Sequence, residues 1–591
     1  LPRPCAPTDP QDADHLLATP VSTEERTPMT DPQDGARAHR APHRRPAAHR
    51  PTVRRLALPA AALAAFTLVA ACAGPPKSGG GADGTGFTLS ADTPAAKGPI
   101  DSFTWALYAE PPTLDYISAF DYPQNTILSN VCESLMRWTP QLTLAPGLAE
   151  KATNPDPTTW VYDLRPGVHF HDGTVMTADD VVYSLGRQMN PDNAAAWAQQ
   201  FQNVSTITRT GPLQVTVKLT QPDSQFNQYM ATAAGAVASQ AGVEAAGKDY
   251  GTSGSLDCTG PFELGAWNKG QSIELRRFDG YWGTKAKSAK AEFRFLTDPS
   301  ARVNAMISGE ADGGYLIPTE SYDRLRNSGV GTLSFGEGLS TVNVNVTNMQ
   351  GVLGDVRVRQ ALSLALDRSG FVKAGLGGAG SVTGSLTTRA AWAGAPEDAR
   401  RSAFEGLTPT TPDLDRAKAL IKEAGATGKT ITVATSPIGQ DVSLLATAVQ
   451  AAGASIGLDV QLKTIAPNAF TSLFTSAEAR QGIDMFPETY YDSITDPLDL
   501  LANFKTGAYQ NFASYSDPAY DDLVKQATNA SDPAQRYAIE ARLQQTASRQ
   551  LLWIPVAEWP TAVFLNKRIT GAPTTISYMY YPWAADVGAA R

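Results

Sequence analysis

The stretch 431–465 constrains this chain's fold more than any other. It reads as strand, helix, strand: ITVAT at 431–435, DVSLLATAVQAAGASIG at 441–457 and LDVQLKTI at 458–465. Leu445, Val449 and Ala452 line one face of the helix. Two strands joined through a crossover helix run parallel, because a tight turn can only reverse the chain. The chain therefore contains a sheet with parallel strands and falls in the α/β class.

Other strands announce themselves by period-two alternation. Trp160, Tyr162 and Leu164 alternate in TWVYDL, Val215, Val217 and Leu219 in VTVKL, and Ile273 and Leu275 in SIELRR. Val342, Val344 and Val346 alternate with asparagines in TVNVNVTN, the pattern of a half-buried strand. Helical spacing returns over 355–368, where Val358, Ala361, Leu362 and Ala365 share a face. Many strands precede residue 346 and a fresh α/β set follows it. The chain is expected to cross between two lobes there, and its 591 residues suffice for more than one core.

The N-terminal region has a different character. Residues 1–50 are rich in Pro, Ala and Arg and lack apolar periodicity. Arg54 and Arg55 then precede a 16-residue apolar run over 56–71, shorter than the roughly 20 residues that span a bilayer. A basic flank, a short apolar run and small residues form a signal-peptide pattern. The run ends in VAAC at 69–72, which resembles a bacterial lipobox and marks Cys72 as the expected lipidation site. Arg54-Arg55 also fits a twin-arginine signal, though two basic residues are an ordinary flank. A glycine-rich stretch over 74–86 is expected to act as a flexible tether. No later segment is apolar enough to span a membrane.

Of four cysteines, Cys5 would be removed by cleavage and Cys72 consumed by lipidation. Cys132 and Cys258 remain for an oxidising compartment, and a disulfide between them is expected; the alternative is two separate buried thiols. The chain is acidic, with 49 basic and 58 acidic residues, and has no long basic run, which argues against a nucleic-acid partner.

The usual catalytic constellations are missing. GxSxG does not occur, and GATGKT at 425–430 has the wrong glycine spacing for a phosphate loop. It sits between a helix and a strand and reads as a helix-ending turn. Outside the first 50 residues the only histidines are His169 and His171, too few for a zinc site without further ligands. Asp179-Asp180 before an apolar run is an ordinary helix start. No enzyme activity, metal site or cofactor is expected.

Ordered blocks then carry a family likeness across residues 105–571. They are EPPTLD at 110–115, NVCESL at 130–135, LAPGLA at 144–149, TWVYDLRPGVHFHDGT at 159–174 with TADDV at 177–181, TGPF at 259–262, YWG at 281–283, SGEAD at 308–312, VRVRQAL at 356–362 and Asp367-Arg368. In these blocks the chain resembles the oligopeptide/dipeptide-binding family of ABC-importer solute-binding proteins, often called family 5.

The resemblance implies a two-lobed periplasmic-binding-protein-like fold, type II, cluster C, with mixed sheets and a hinge that closes on a small solute. It implies lobe I over 99–346 with an inserted subdomain at about 135–250, lobe II over 347–550, and a return to lobe I over 551–591. The tether would occupy 72–98, after an extension and signal peptide over 1–71. Implied partners are an ABC permease and its ATPase, at the outer face of the cytoplasmic membrane.

In peptide-binding members an Asp in a Trp-containing segment pairs with the ligand's ammonium. The matching stretch is YYDSITDP at 490–497, which puts that role on Asp492, with Tyr490 or Tyr491 in place of the Trp and one extra residue before Asp496-Pro497. The alternative is that Asp492 caps a loop, while Asp496-Pro497 reads as a helix start. Glu110, Trp392, Arg389, Tyr509 and Asn511 are further cleft candidates, Arg389 for a ligand carboxylate. The readings that remain open are the same fold binding a sugar, nickel chelate or opine, a cell-surface hydrolase, and a signalling or structural lipoprotein without transport.

Overall fold

In the computed structural model, residues 87–252 and 256–591 are described. Cys72, the apolar run before it and the glycine-rich stretch 74–86 lie outside them. The crossover unit folds as its pattern requires. Strands Thr430–Thr435 and Asp459–Thr464 pair in parallel, joined by the helix Gln440–Ser455, whose Leu445, Val449 and Ala452 are buried.

These two strands form one edge of an eleven-stranded mixed sheet. From that edge the order continues through Met485–Tyr491, Gly331–Val346, Trp553–Asn566, Gly313–Tyr315, Ile100–Leu107, Ser288–Phe295 and Ser272–Arg277 to Phe262–Asn268, and the eleventh strand, Ser381–Val382, pairs with Trp553–Asn566 off this path. Gly331–Val346 and Trp553–Asn566 are the longest strands and pair antiparallel along most of their length. Their register breaks between Gly336 and Ser340 and again between Val342 and Asn343. A break in register kinks a strand and raises its local twist, so the sheet turns where these two strands pass from one half to the other.

One apolar cluster fills the first half and reaches residues of the second, Trp392 and Tyr537 among them. Phe103, Trp105 and Trp583 anchor the core of the first half. The second half is covered on both faces, by a layer holding Val342, Val344 and Val346 and by an aromatic layer holding Phe486, Phe512 and Trp553. Double coverage changes the meaning of TVNVNVTN. The alternation predicts one dry and one wet face, yet Asn343 and Asn345 are both 0 % exposed. A separate antiparallel four-stranded sheet, Ala149–Asp156, Thr159–Leu164, Gln214–Leu219 and Val204–Gly211, extends the first half.

Several sequence blocks are explained by packing. Glu133 of NVCESL is buried and accepts hydrogen bonds from Tyr281 Oη (2.8 Å), Trp282 Nε1 (2.7 Å) and Thr259 Oγ1 (3.2 Å). One carboxylate thus ties its own block to two others more than a hundred residues later in the chain. Cys132 and Cys258 form a disulfide at the same place, with Cα atoms 4.9 Å apart. The buried Arg368 guanidinium donates to Pro555 O (2.9 Å), Ser363 O (2.7 Å) and Ser363 Oγ (2.7 Å), pinning a helix start to a crossing strand. Thr177 caps its helix in a reciprocal box with Asp180. The helix expected over 355–368 stops at Ala365, and Asp367 caps a second one, Arg368–Gly375.

Candidate functional site

The strand Met485–Tyr491 brings Glu488 and Tyr490 to one face, and alternation carries the same side on to Asp492. Asp492 extends the pairing by one residue, its backbone N–H donating to Leu339 O at 2.8 Å. Its side chain is 1 % exposed, and neither carboxylate oxygen has a hydrogen-bond partner. A buried carboxylate left in this state is costly, because its hydration is lost and nothing replaces it. Burial, followed by the charges of Asp499 and Asp496, pushes the Asp492 carboxyl well above the usual carboxylate range.

The residues after Asp492 fold into an acidic loop. Asp496 Oδ1 accepts from Leu498 N at 3.0 Å, at the start of the short helix Leu498–Leu501. Pro497 takes the capping position of that helix rather than its first turn. Asp496 also meets Arg536 Nη2 at 3.1 Å, and Arg536 Nε lies 3.3 Å from Glu540 Oε1. Glu540 is 0 % exposed, has no hydrogen-bond partner for either oxygen, and is raised well above its usual range by burial. Asp499 accepts from Tyr229 Oη (2.6 Å) and from Ser493 N (2.7 Å). Burial raises Asp499 too, but these hydrogen bonds hold its charge and reduce the effect.

Tyr490 and Tyr491 flank the anchor. Tyr490 packs 5.4 Å from the Trp553 ring and its hydroxyl accepts from Asn503 Nδ2 at 3.0 Å. Tyr491 lies 4.9 Å from Tyr122 and donates its hydroxyl to the Phe120 carbonyl, reaching across from the second half of the sheet to the first.

The other sequence candidates are placed differently. Trp392 is buried, donates to Thr387 Oγ1 at 2.7 Å, and packs against Tyr537 and Phe404, so its ring and its N–H are both taken up by internal partners. Asn511 spends its amide on its own loop, donating to Lys505 O (3.0 Å) and Tyr515 O (2.7 Å) and accepting from Tyr515 N (2.9 Å). Glu110 accepts from Trp267 Nε1 (2.7 Å) and Gly270 N (3.0 Å), so both its oxygens hold a loop to a hairpin. Arg389 is exposed and lies 4.8 Å over the Phe404 ring, while Tyr509 is 60 % exposed. Of the ligand candidates, the structure brings together Asp492, Tyr490 and Tyr491.

Sequence reasoning missed Glu488. It sits directly opposite Asn343 in the register, accepts a hydrogen bond from Asn345, and is pushed by burial up to about 7. The Oδ1 atoms of Asn343 and Asn345 have no partner, so this face of the sheet carries a polar patch inside an aromatic layer. The signal was present in the spacing of Glu488, Tyr490 and Asp492, which alternation puts on one side.

His169 and His171 bond separate backbone carbonyls, Gly167 O at 3.0 Å and Gly260 O at 3.1 Å. Among the described residues no group of three or more His, Cys, Asp or Glu is placed to hold a metal ion, and no helix is long and apolar enough to cross a membrane. Two open grooves, of about 690 Å³ around Asp115 and Arg187 and about 890 Å³ around Pro409 and Arg416, are lined by no residue of the Asp492 loop.

The model of the bacterial extracellular solute-binding proteins, family 5 (its middle portion), matches residues 143–512. The chain belongs to this family. Its members are substrate-binding proteins of ABC importers, a transport role rather than an enzymatic one. This family 5 protein is 26 % identical over 472 residues to the glutathione-binding protein GsiB of Escherichia coli K12, covering 78 % of this chain and 89 % of GsiB. CtaP, an ABC-transporter substrate-binding protein of Listeria monocytogenes, superposes with a TM-score of 0.74 at 20 % identity, covering 83 % of this chain and 100 % of CtaP. DppA of Helicobacter pylori, solved with the peptide STSA, superposes with a TM-score of 0.72 at 21 % identity, covering 84 % and 99 %. The family 5 protein shares with these structures the two-lobed periplasmic-binding-protein fold.

Proposed function

We propose that this family 5 protein binds a peptide, or a peptide-like solute with a free amine, and that Asp492 takes the ligand's ammonium group. One observation carries the reading: Asp492 is enclosed, yet both carboxylate oxygens are without partners. An ammonium is the complement of such a group, because it supplies three donors and the missing positive charge. Tyr490 and Tyr491 frame the anchor. Glutathione, for which GsiB is named, and the peptide held by DppA agree with this chemistry.

In this reading lobe I comprises residues 99–346 with the return 551–591, and lobe II comprises 347–550. The lobes close on the solute about the two crossing strands, because contacts made from both sides favour the shut form. The loaded protein then docks on an ABC permease driven by its ATPase. Cys72 carries the lipid anchor that keeps it at the outer face of the cytoplasmic membrane.

The test is a thermal-shift screen with tri-alanine, glutathione and N-acetylated tri-alanine, in the native chain and in Asp492→Asn. A ligand at 100 times its Kd stabilises the native chain by about 2.7 kcal/mol. The free-amine ligands should lose that effect in Asp492→Asn, and the acetylated peptide should show none in either. Hits indifferent both to acetylation and to the substitution would overturn the assignment.

A further inference from the structure

The loop that carries Asp492 is gripped from the opposite side of the molecule. The grip comes from Asp223–Tyr229, just after the strand Gln214–Leu219 of the four-stranded sheet. One side of this segment is sunk in the first core through Phe226 and Tyr229, and Tyr162 Oη holds Asn227 at 3.1 Å. Its polar groups reach residues some 270 to 310 positions later. Gln225 Nε2 donates to Asp496 Oδ1 at 3.3 Å, Gln228 Nε2 to Asp496 Oδ2 at 2.9 Å, and Tyr229 Oη to Asp499 Oδ1 at 2.6 Å. Ser224 N donates to Thr528 O at 2.9 Å, Ser224 Oγ to Ala527 O at 3.2 Å, and Arg536 Nη1 returns a bond to Ser224 O at 3.3 Å.

The charges at this contact do not balance. Asp492, Asp496 and Asp499 come from the loop, Glu540 from the helix Pro533–Gln550, and Asp223 faces them from the gripping segment. Arg536 pairs with Asp496 and Glu540; Tyr229, Tyr490, Tyr537 and Tyr580 are neutral at ordinary pH, and Glu488, raised by burial, lies on the same strand beyond Tyr490. Both oxygens of Asp492 and of Glu540 lack hydrogen bonds.

We infer that Gln225, Gln228 and Tyr229 are positioning residues, a latch from lobe I that holds the Asp492 loop shut, and that the latch engages when a positive charge or a proton offsets the carboxylates packed beneath it. None of the three need touch the ligand. They fix Asp496 and Asp499, and those fix the short loop on which Asp492 stands. The ligand's ammonium is one source of the balancing charge, and this part rests on the reading of Asp492 as its anchor. A proton is the other. Carboxyls that burial raises when the lobes meet take up protons on closing, so acid favours the shut form even without ligand.

The experiment uses the full chain, with a donor–acceptor dye pair at the exposed Lys151 and Lys422, and reads the ratio of closed to open molecules. Without ligand, the native ratio should rise from pH 8 to pH 5. Tyr229→Phe and Gln228→Met should each lower it by up to about tenfold at pH 5, since each removes a buried hydrogen bond across the contact. Gln228→Lys, which supplies a cation, should raise it at pH 8 and flatten the pH profile, a result that a merely structural role does not give. Circular dichroism confirms that each variant is folded. A ratio unchanged in Tyr229→Phe and Gln228→Met, or flat with pH in the native chain, overturns the latch. If the latch results hold but tri-alanine closes Asp492→Asn as well as the native chain, the anchor fails and the latch stands.

Discussion

Glu488→Gln isolates one buried charge and gives a number to test. The side chain is 8 % exposed and accepts a single hydrogen bond, from Asn345. Burial moves its carboxyl from an ordinary 4.5 to about 7. A group raised on folding takes up a proton as the chain folds, so its contribution to stability is complete below the unfolded value near 4.5 and is lost as pH climbs through 7. At about 1.4 kcal/mol per pKa unit, ionised Glu488 burdens the fold by on the order of 3 kcal/mol at high pH. Glutamine keeps an acceptor for Asn345 and cannot ionise. Urea denaturation of both chains, from about pH 5 to pH 8, should show the variant gaining roughly 2–3 kcal/mol on the native protein across that range. Parallel curves would mean that Glu488 is not desolvated in the fold, and the account of a polar patch inside the aromatic layer would be wrong.

Other expectations follow from single contacts. Asp492→Asn should raise the melting temperature of the empty protein while abolishing tri-alanine binding, because the orphaned charge burdens the unliganded fold; a fall in both would point to a structural Asp. Replacing Cys132 and Cys258 by alanine releases a loop of 126 residues and should lower stability by up to about 4–5 kcal/mol in the chain-entropy picture, measured by urea denaturation. Gly338→Ala places a Cβ 2.5 Å from Trp559 O and 3.0 Å from Thr561 N at the break between the crossing strands. Backbone cannot step aside, so a loss of roughly 1–3 kcal/mol and slower closure in stopped-flow fluorescence are expected. Trp392→Ala should cost about 3–5 kcal/mol, as a core cavity does, and leave ligand affinity of the folded fraction unchanged.

What could be read in the sequence was whatever depends on neighbours along the chain. The crossover unit at 431–465, the Thr177 cap and the buried stripe of Val358, Ala361 and Leu362 follow from periodicity and capping chemistry, which act over a few residues. The family blocks were legible for a related reason, since Glu133 needs Thr259, Tyr281 and Trp282 together and leaves its mark in three places.

The packing of the second half was not legible. Alternation specifies which residues share a face, but it says nothing of what lies opposite that face. Asn343 and Asn345 look solvent-facing until a second layer covers them. Trp392, Asn511 and Glu110 carry chemistry suited to a ligand, yet internal partners take up their polar groups. Asp492 was visible as a residue type in a motif, while its enclosure without a partner was decided by the tertiary structure alone. So was the contact of Gln225, Gln228 and Tyr229 with Asp496 and Asp499. The charge state of a carboxylate depends on every group that surrounds it in space, and only the folded chain determines that surrounding.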